Sequence, residues 1–201
     1  MPSTPTPSNA IHEERLQQLA LFLRESEQIL TGFDAWREEH SDLDGWPLDD
    51  AEHSRHAVRR DADTWRSFNR VWPFAKELLA TAEVQMQHLD PAHSQSRWPW
   101  QLSVLDHALK RLDALQQEWV EARNVLPPSA GPGNFAYDDA LAERNEEAWT
   151  YLEDWSNHGQ ALLEVQAAIQ QAPPRSPSLT TALTDLVPAA PAAKPSPAAR
   201  R

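Results

Sequence analysis

Leucines and aromatic residues recur along this chain at intervals of three and four, the spacing that keeps side chains on one face of an α-helix. Four long stretches carry the pattern. The first runs from about Ala10 to Glu39 behind a cap at Asn9, with Leu16, Leu19, Leu23, Leu30, Phe33 and Trp36 on its apolar side. The second reaches from Asp49 or Asp50 to about His88 through Val58, Trp65, Phe68, Trp72, Leu79 and Met86. Pro73 lies inside it, and a proline removes a backbone donor and clashes with the preceding turn. That helix must kink or restart there, and Asn69 suits a restart. The third begins at Pro99, a residue favoured at the first helical position, and follows Leu102, Leu105, Leu109, Leu112 and Trp119. It stops at NVLPPSAGPGNFAY, rich in proline and glycine. The fourth spans Asp138 to about Gln171 through Leu141, Ala148, Leu152, Trp155, Leu162 and Ile169, with Gly159 inside it. A helical glycine costs about 1 kcal/mol relative to alanine, so Gly159 either interrupts the helix or admits a neighbour close to its backbone.

No stretch alternates with the period of a β-strand. Short connections between long helices predict antiparallel neighbours, so the expected fold is all-α: an up-down-up-down four-helix bundle over residues 9–172. Residues 1–8 form a Pro-rich arm, and 173–201 an Ala/Pro/Ser-rich tail with few large apolar side chains. Such segments cannot bury enough surface to offset their ordering entropy, and disorder is expected of both.

Nine tryptophans, three of them in Trp-Pro pairs (Trp46-Pro47, Trp72-Pro73, Trp98-Pro99), raise the choice between a binding surface and structural filling. A proline biases its predecessor away from helical angles, so each such Trp is expected to fold back over a helix end or kink, with Trp100 beside Trp98. Trp36, Trp65, Trp119 and Trp155 share apolar stripes and are expected in the core. In the four-helix topology the first and third loops meet at one end, which brings Trp46, Phe135 and Tyr137 near Pro127, Pro128 and Pro132 as a candidate grip for a partner segment.

Composition removes several chemistries. The chain has no cysteine, and therefore no disulfide framework, thiolate metal site or cysteine nucleophile. Its start has no basic region leading into an apolar run, and no window is apolar enough to span a bilayer, so a soluble cytoplasmic protein without a membrane role is expected. Five glycines form no phosphate-cradling motif, and no cofactor or small-molecule substrate is implied. A net charge of −12 disfavours nucleic acid as a partner.

The charge is uneven. Between Asp138 and Ala172 eight acids face one base, Arg144; between Arg55 and Arg70 five arginines face Asp61 and Asp63. One expectation is that these two faces attract one another. The other is an acidic surface for a basic partner, or a mimic of nucleic acid phosphates; Arg55 to Arg70 and the tail's Arg175, Lys194, Arg200 and Arg201 could instead touch nucleic acid. A second constellation is DDAEHSRH, where Asp50, His53 and His56 sit three residues apart on a helix. Carboxylate and imidazole together suit zinc or iron, and His158 is a further candidate ligand. The bundle di-iron pattern of two inward Glu-x-x-His pairs does not occur.

The segment GPGNFAYDDALAERNEEAWTYLEDWSNHG, Gly131 to Gly159, resembles uncharacterised helical proteins of GC-rich bacteria, over less than a fifth of the chain. The resemblance implies no activity and no residue roles. The leading expectation from sequence is a non-catalytic protein–protein interaction or scaffolding module that binds a protein partner or itself. The alternatives are a metal-dependent helical-bundle enzyme using Asp50, His53, His56 and His158, and an acidic nucleic-acid mimic or nucleic-acid-associated regulator.

Overall fold

The computed structural model describes residues 7–172. The expected arm and tail otherwise lie outside the described residues, although Pro7 and Ser8 are already helical. The expected all-α class is found. Helix α1 covers Pro7–Glu39, α2 Asp50–Phe68, α3 Trp72–His88, α4 Trp98–Val125, α5 Phe135–His158 and α6 Gln160–Gln171. Among the described residues no β-strand forms; a single bridge joins Ser41 and Pro47.

Two of the four expected rods are broken, each at the residue that weakened the pattern. After Phe68 the chain makes a tight turn in which Val71 N–H donates to Phe68 O at 2.8 Å, and α3 restarts with Pro73 in its first turn. A first-turn proline loses no intrahelical bond, because that N–H would be unpaired anyway. The second break is at Gly159, where a Cβ would stand 2.6 Å from Trp155 O and 3.0 Å from Leu23 Cδ2. Glycine lets α1 press its leucines onto the backbone at this joint. Two starts also differ from expectation. Helix α1 begins before Asn9, which is therefore inside it and not its cap. Helix α5 begins at Phe135 and not Asp138, because the Asn134 side chain accepts from Ala136 N–H at 3.1 Å.

Side-chain pairs fix the directions. Along α1, Arg15 pairs with Glu77, Glu25 with Arg70, and Trp36 stacks on His56, so α1 runs antiparallel to α2 and α3. Trp98 bonds Glu164, Arg111 approaches Glu147 and Trp119 meets Tyr137, so α4 runs antiparallel to α5 and α6. Arg60 lies over Trp149 and Phe68 packs on Trp155, so α2 and α5 run in the same direction. The turns at 40–49 and 126–134 therefore share one end of the molecule.

The core is the inward stripe of each helix. Leu19, Phe22, Phe68, Leu105, Leu112, Leu152 and Trp155 are fully buried, and Phe22 meets Phe68 edge-on at 5.2 Å. Burial of this kind supplies most of the stability of such a fold, at roughly 25 cal/mol per Å² of apolar area. Val58 leaves the expected stripe: it is 43% exposed, at the edge of the arc set by Asp61, Thr64, Trp65 and Phe68.

The tryptophans sort unevenly. Trp65, Trp98 and Trp155 are buried as expected. Trp98 closes a helix end, its Nε1–H donating to Glu164 at 2.8 Å. Trp36 and Trp119, expected in the core, are only half-buried, because they lie where the rods taper toward the loop end. Trp46 and Trp100, expected as plugs, are 71% and 59% exposed. Trp46 precedes a proline that sits in a loop and not in a first helical turn, so no helix end lies beneath it. Trp100 follows Pro99 within the helix and points away from the side that Trp98 buries.

Candidate functional site

The 40–49 loop is held by its own backbone. Asp42 N–H donates to Trp46 O at 2.8 Å, Leu48 N–H to His40 O at 2.9 Å, and Gly45 N–H to Asp42 O at 3.0 Å. The Asp42 carboxylate accepts from Asp44 and Trp46 N–H at 3.0 and 2.9 Å. Gly45 takes a φ of 83°, which an L side chain rarely adopts. Asp49 then caps α2 by accepting from Ala51 and Glu52 N–H; the bond from Glu52 leads in holding its carboxyl below the usual value. Leu43, Trp46 and Leu48 project from this loop, all more than two-thirds exposed.

The neighbouring loop does the same. Ala130 N–H donates to Pro127 O at 2.8 Å and Asn134 N–H to Gly131 O at 2.9 Å, while Asp138 accepts from Gly133 N–H. Val125 and Phe135 flank it and are highly exposed. Of the three aromatic residues named for this end, Trp46 and Phe135 are open to solvent, whereas half-buried Tyr137 packs edge-on against Trp119 at 6.0 Å. Leu43, Leu48 and Val125 join this surface without any helical periodicity to point to them. Their signal was an apolar residue placed among turn formers.

Beneath this end the rings form a stack. Trp36 lies between His40 and His56, at 4.7 and 3.9 Å, and His53 meets the edge of Phe33 at 5.8 Å. Arg60 continues it, 4.6 Å from Phe33 and 3.7 Å from Trp149, and pairs with buried Asp61 at 2.7 Å. Burial pushes the Asp61 carboxyl above its usual value, against the opposing pull of Arg60.

The proposed metal ligands are not brought together. His53 and His56 are committed to Phe33 and Trp36, Asp50 is at the exposed start of α2, and His158 packs on Trp100 near the opposite end. Among the described residues no three His, Asp or Glu side chains converge as a metal would require.

The expected attraction between the basic and acidic helices is not carried by direct ion pairs. Arg59 and Arg66 pair with Asp63, Arg60 with Asp61 and Arg70 with Glu25, so among the described residues no α2 arginine is paired with an α5 acid. Arg144 is held differently again. Its guanidinium lies 4.1 Å from Trp65 and 5.1 Å from Trp119, and donates to Gln116 and Asn145 at 2.7 and 2.6 Å. Burial without a carboxylate partner lowers its pKa to about 10.

No family model matches this chain, and neither does any curated protein or solved structure.

Proposed function

We propose that this protein is a non-catalytic interaction module of the cytoplasm whose loop end grips a protein partner. In this reading the helices act as four rods of an up-down-up-down bundle, α2 with α3 forming one and α5 with α6 another. One observation carries the proposal: of the nine large exposed hydrophobic side chains among the described residues, five (Leu43, Trp46, Leu48, Val125 and Phe135) lie in or directly beside the two loops at one end. Exposed apolar groups gathered in one region mark interaction sites. The internal hydrogen bonds of both loops support the same reading, because a surface already ordered loses less conformational entropy on binding.

The double variant Trp46→Ala with Phe135→Ala tests it. Exposed side chains with no packing role change stability by no more than about 0.5 kcal/mol, so thermal melting should be almost unchanged. Capture of the partner from native-cell extract by the tagged full chain should be lost, since aromatic anchors contribute about 2 kcal/mol or more each to binding. A large drop in stability would make both residues structural plugs, and capture at the wild-type level would remove the loop end as the surface.

A further inference from the structure

Between α4 and α5 lies a cavity of about 190 Å³. It is lined by the apolar Leu115, Ala122 and Ala140, by the Trp119 indole, and by three carboxylates, Glu118, Glu143 and Glu147, against one cation, Arg144. Ligand sites for whole small molecules run to about 300 Å³ and above, so this space suits the end of one side chain. Two guanidiniums of this chain already lie over the same indole. Arg144, at 5.1 Å, is fixed in place by Gln116, Asn145 and Trp65. Arg123, at 5.2 Å, is exposed and has no carboxylate partner among the described residues, only Asn124 at 3.4 Å. An indole face attracts a cation through its quadrupole, and Arg123 is free to yield that face to another. The carboxylates are likewise available. Glu147 has a long pair with Arg111 at 3.7 Å, and neither Glu118 nor Glu143 has an ion pair among the described residues. An anion entering here would meet three carboxylates. A cation would gain them, together with the field of a helix pair whose α5 to α6 portion carries eight acids against one base.

The geometry points to a second binding site, the α4–α5 groove, that takes the arginine or lysine side chains of a basic protein segment. It shares with the interaction-module reading only that the partner is a protein. The surface is a different one, so either can fail alone.

A fluorescein-labelled hexa-arginine peptide titrated into the full chain at low salt tests the site. Glu118→Gln with Glu143→Gln should weaken its binding at least tenfold, and Trp119→Leu should weaken it as well. Glu13→Gln with Glu14→Gln on α1 removes the same charge elsewhere and should weaken it less than twofold. The loop-end variant Trp46→Ala with Phe135→Ala should bind the peptide as the wild type does. Equal losses from the two charge pairs would reduce the effect to long-range attraction and overturn the site, as would absence of wild-type binding. Spermine displacing the peptide at matched charge concentration would assign the groove to small polyamines and overturn the peptide as its ligand.

Discussion

Arg60→Ala is expected to cost about 3–5 kcal/mol of folding stability near neutral pH, the range for removing one partner of a buried ion pair. Asp61 has a side chain only 3% exposed, and Arg60 is its ion-pair partner at 2.7 Å. Truncation leaves that carboxylate buried and uncompensated, and also strips the cation from between Phe33 and Trp149. The pH dependence has a definite sign. Burial raises the folded-state pKa of Asp61 above its usual 3.8, and loss of Arg60 raises it further. Above that raised pKa the group is charged in both states and its burial subtracts from stability. As pH falls through it toward 3.8, the folded protein takes up a proton and the penalty fades. Denaturant titrations of wild type and variant, compared at pH 7 and at pH values approaching 4, should therefore show a shrinking difference. Glu25 works in the opposite direction: Arg70 and Ser67 hold its carboxyl below 4.5, so its contribution is present above that value and is lost as pH falls through the lowered pKa. Comparing the proteins at each pH cancels that term. A difference that stays constant or grows on acidification would contradict this account of Asp61.

Trp155→Ala carries the other large effect, about 3–5 kcal/mol for truncating a fully buried aromatic side chain. Trp155 is completely buried, packs on Phe68 at 5.1 Å, and sits one turn before the glycine joint that admits Leu23. The cost arises from packing, because its buried Nε1–H has no hydrogen-bond acceptor among the described residues. Trp155→Phe should cost less than Trp155→Ala, because it keeps an aromatic ring against Phe68 and leaves a smaller cavity where the rest of the indole was. Urea midpoints for the two variants decide this. Equal losses would contradict a packing origin for the effect.

What was legible in the sequence was what local chemistry governs. The leucine stripes of α1 and α4 gave the all-helical class and the core positions Leu16, Leu19, Leu102, Leu105 and Leu112. Pro73 and Gly159 each marked a possible break, since one lacks a backbone donor and the other a Cβ, and both breaks are present. Helix starts were less legible, because capping turns on which nearby side chain reaches an N–H: Asn134, not a residue nearer Asp138, caps α5.

Long-range contacts escaped the sequence altogether. Arg60 reaches Trp149, and Arg144 reaches Trp65 and Trp119, across separations that no periodicity reports. Charge patterning alone presents those arginines as part of a basic and an acidic face, whereas the structure seats them on rings. For the same reason half-buried Trp36 and Trp119 looked like core residues: a stripe position fixes a helix face but not how far along the rod the packing extends. The candidate surface was partly legible. Loop placement pointed to Trp46 and Phe135, and the exposure of Leu43, Leu48 and Val125 enlarges the surface they begin.

The most direct test of the interaction surface is photo-crosslinking in native cells, with benzoylphenylalanine in place of Phe135 and, separately, in place of Val58. Both positions are exposed, but only Phe135 belongs to the loop end. A discrete adduct is expected from position 135, either with one partner or with a second copy of the 22.7 kDa chain, and none from position 58. Equal adducts from both positions, or none from position 135, would contradict the loop end as the interaction surface.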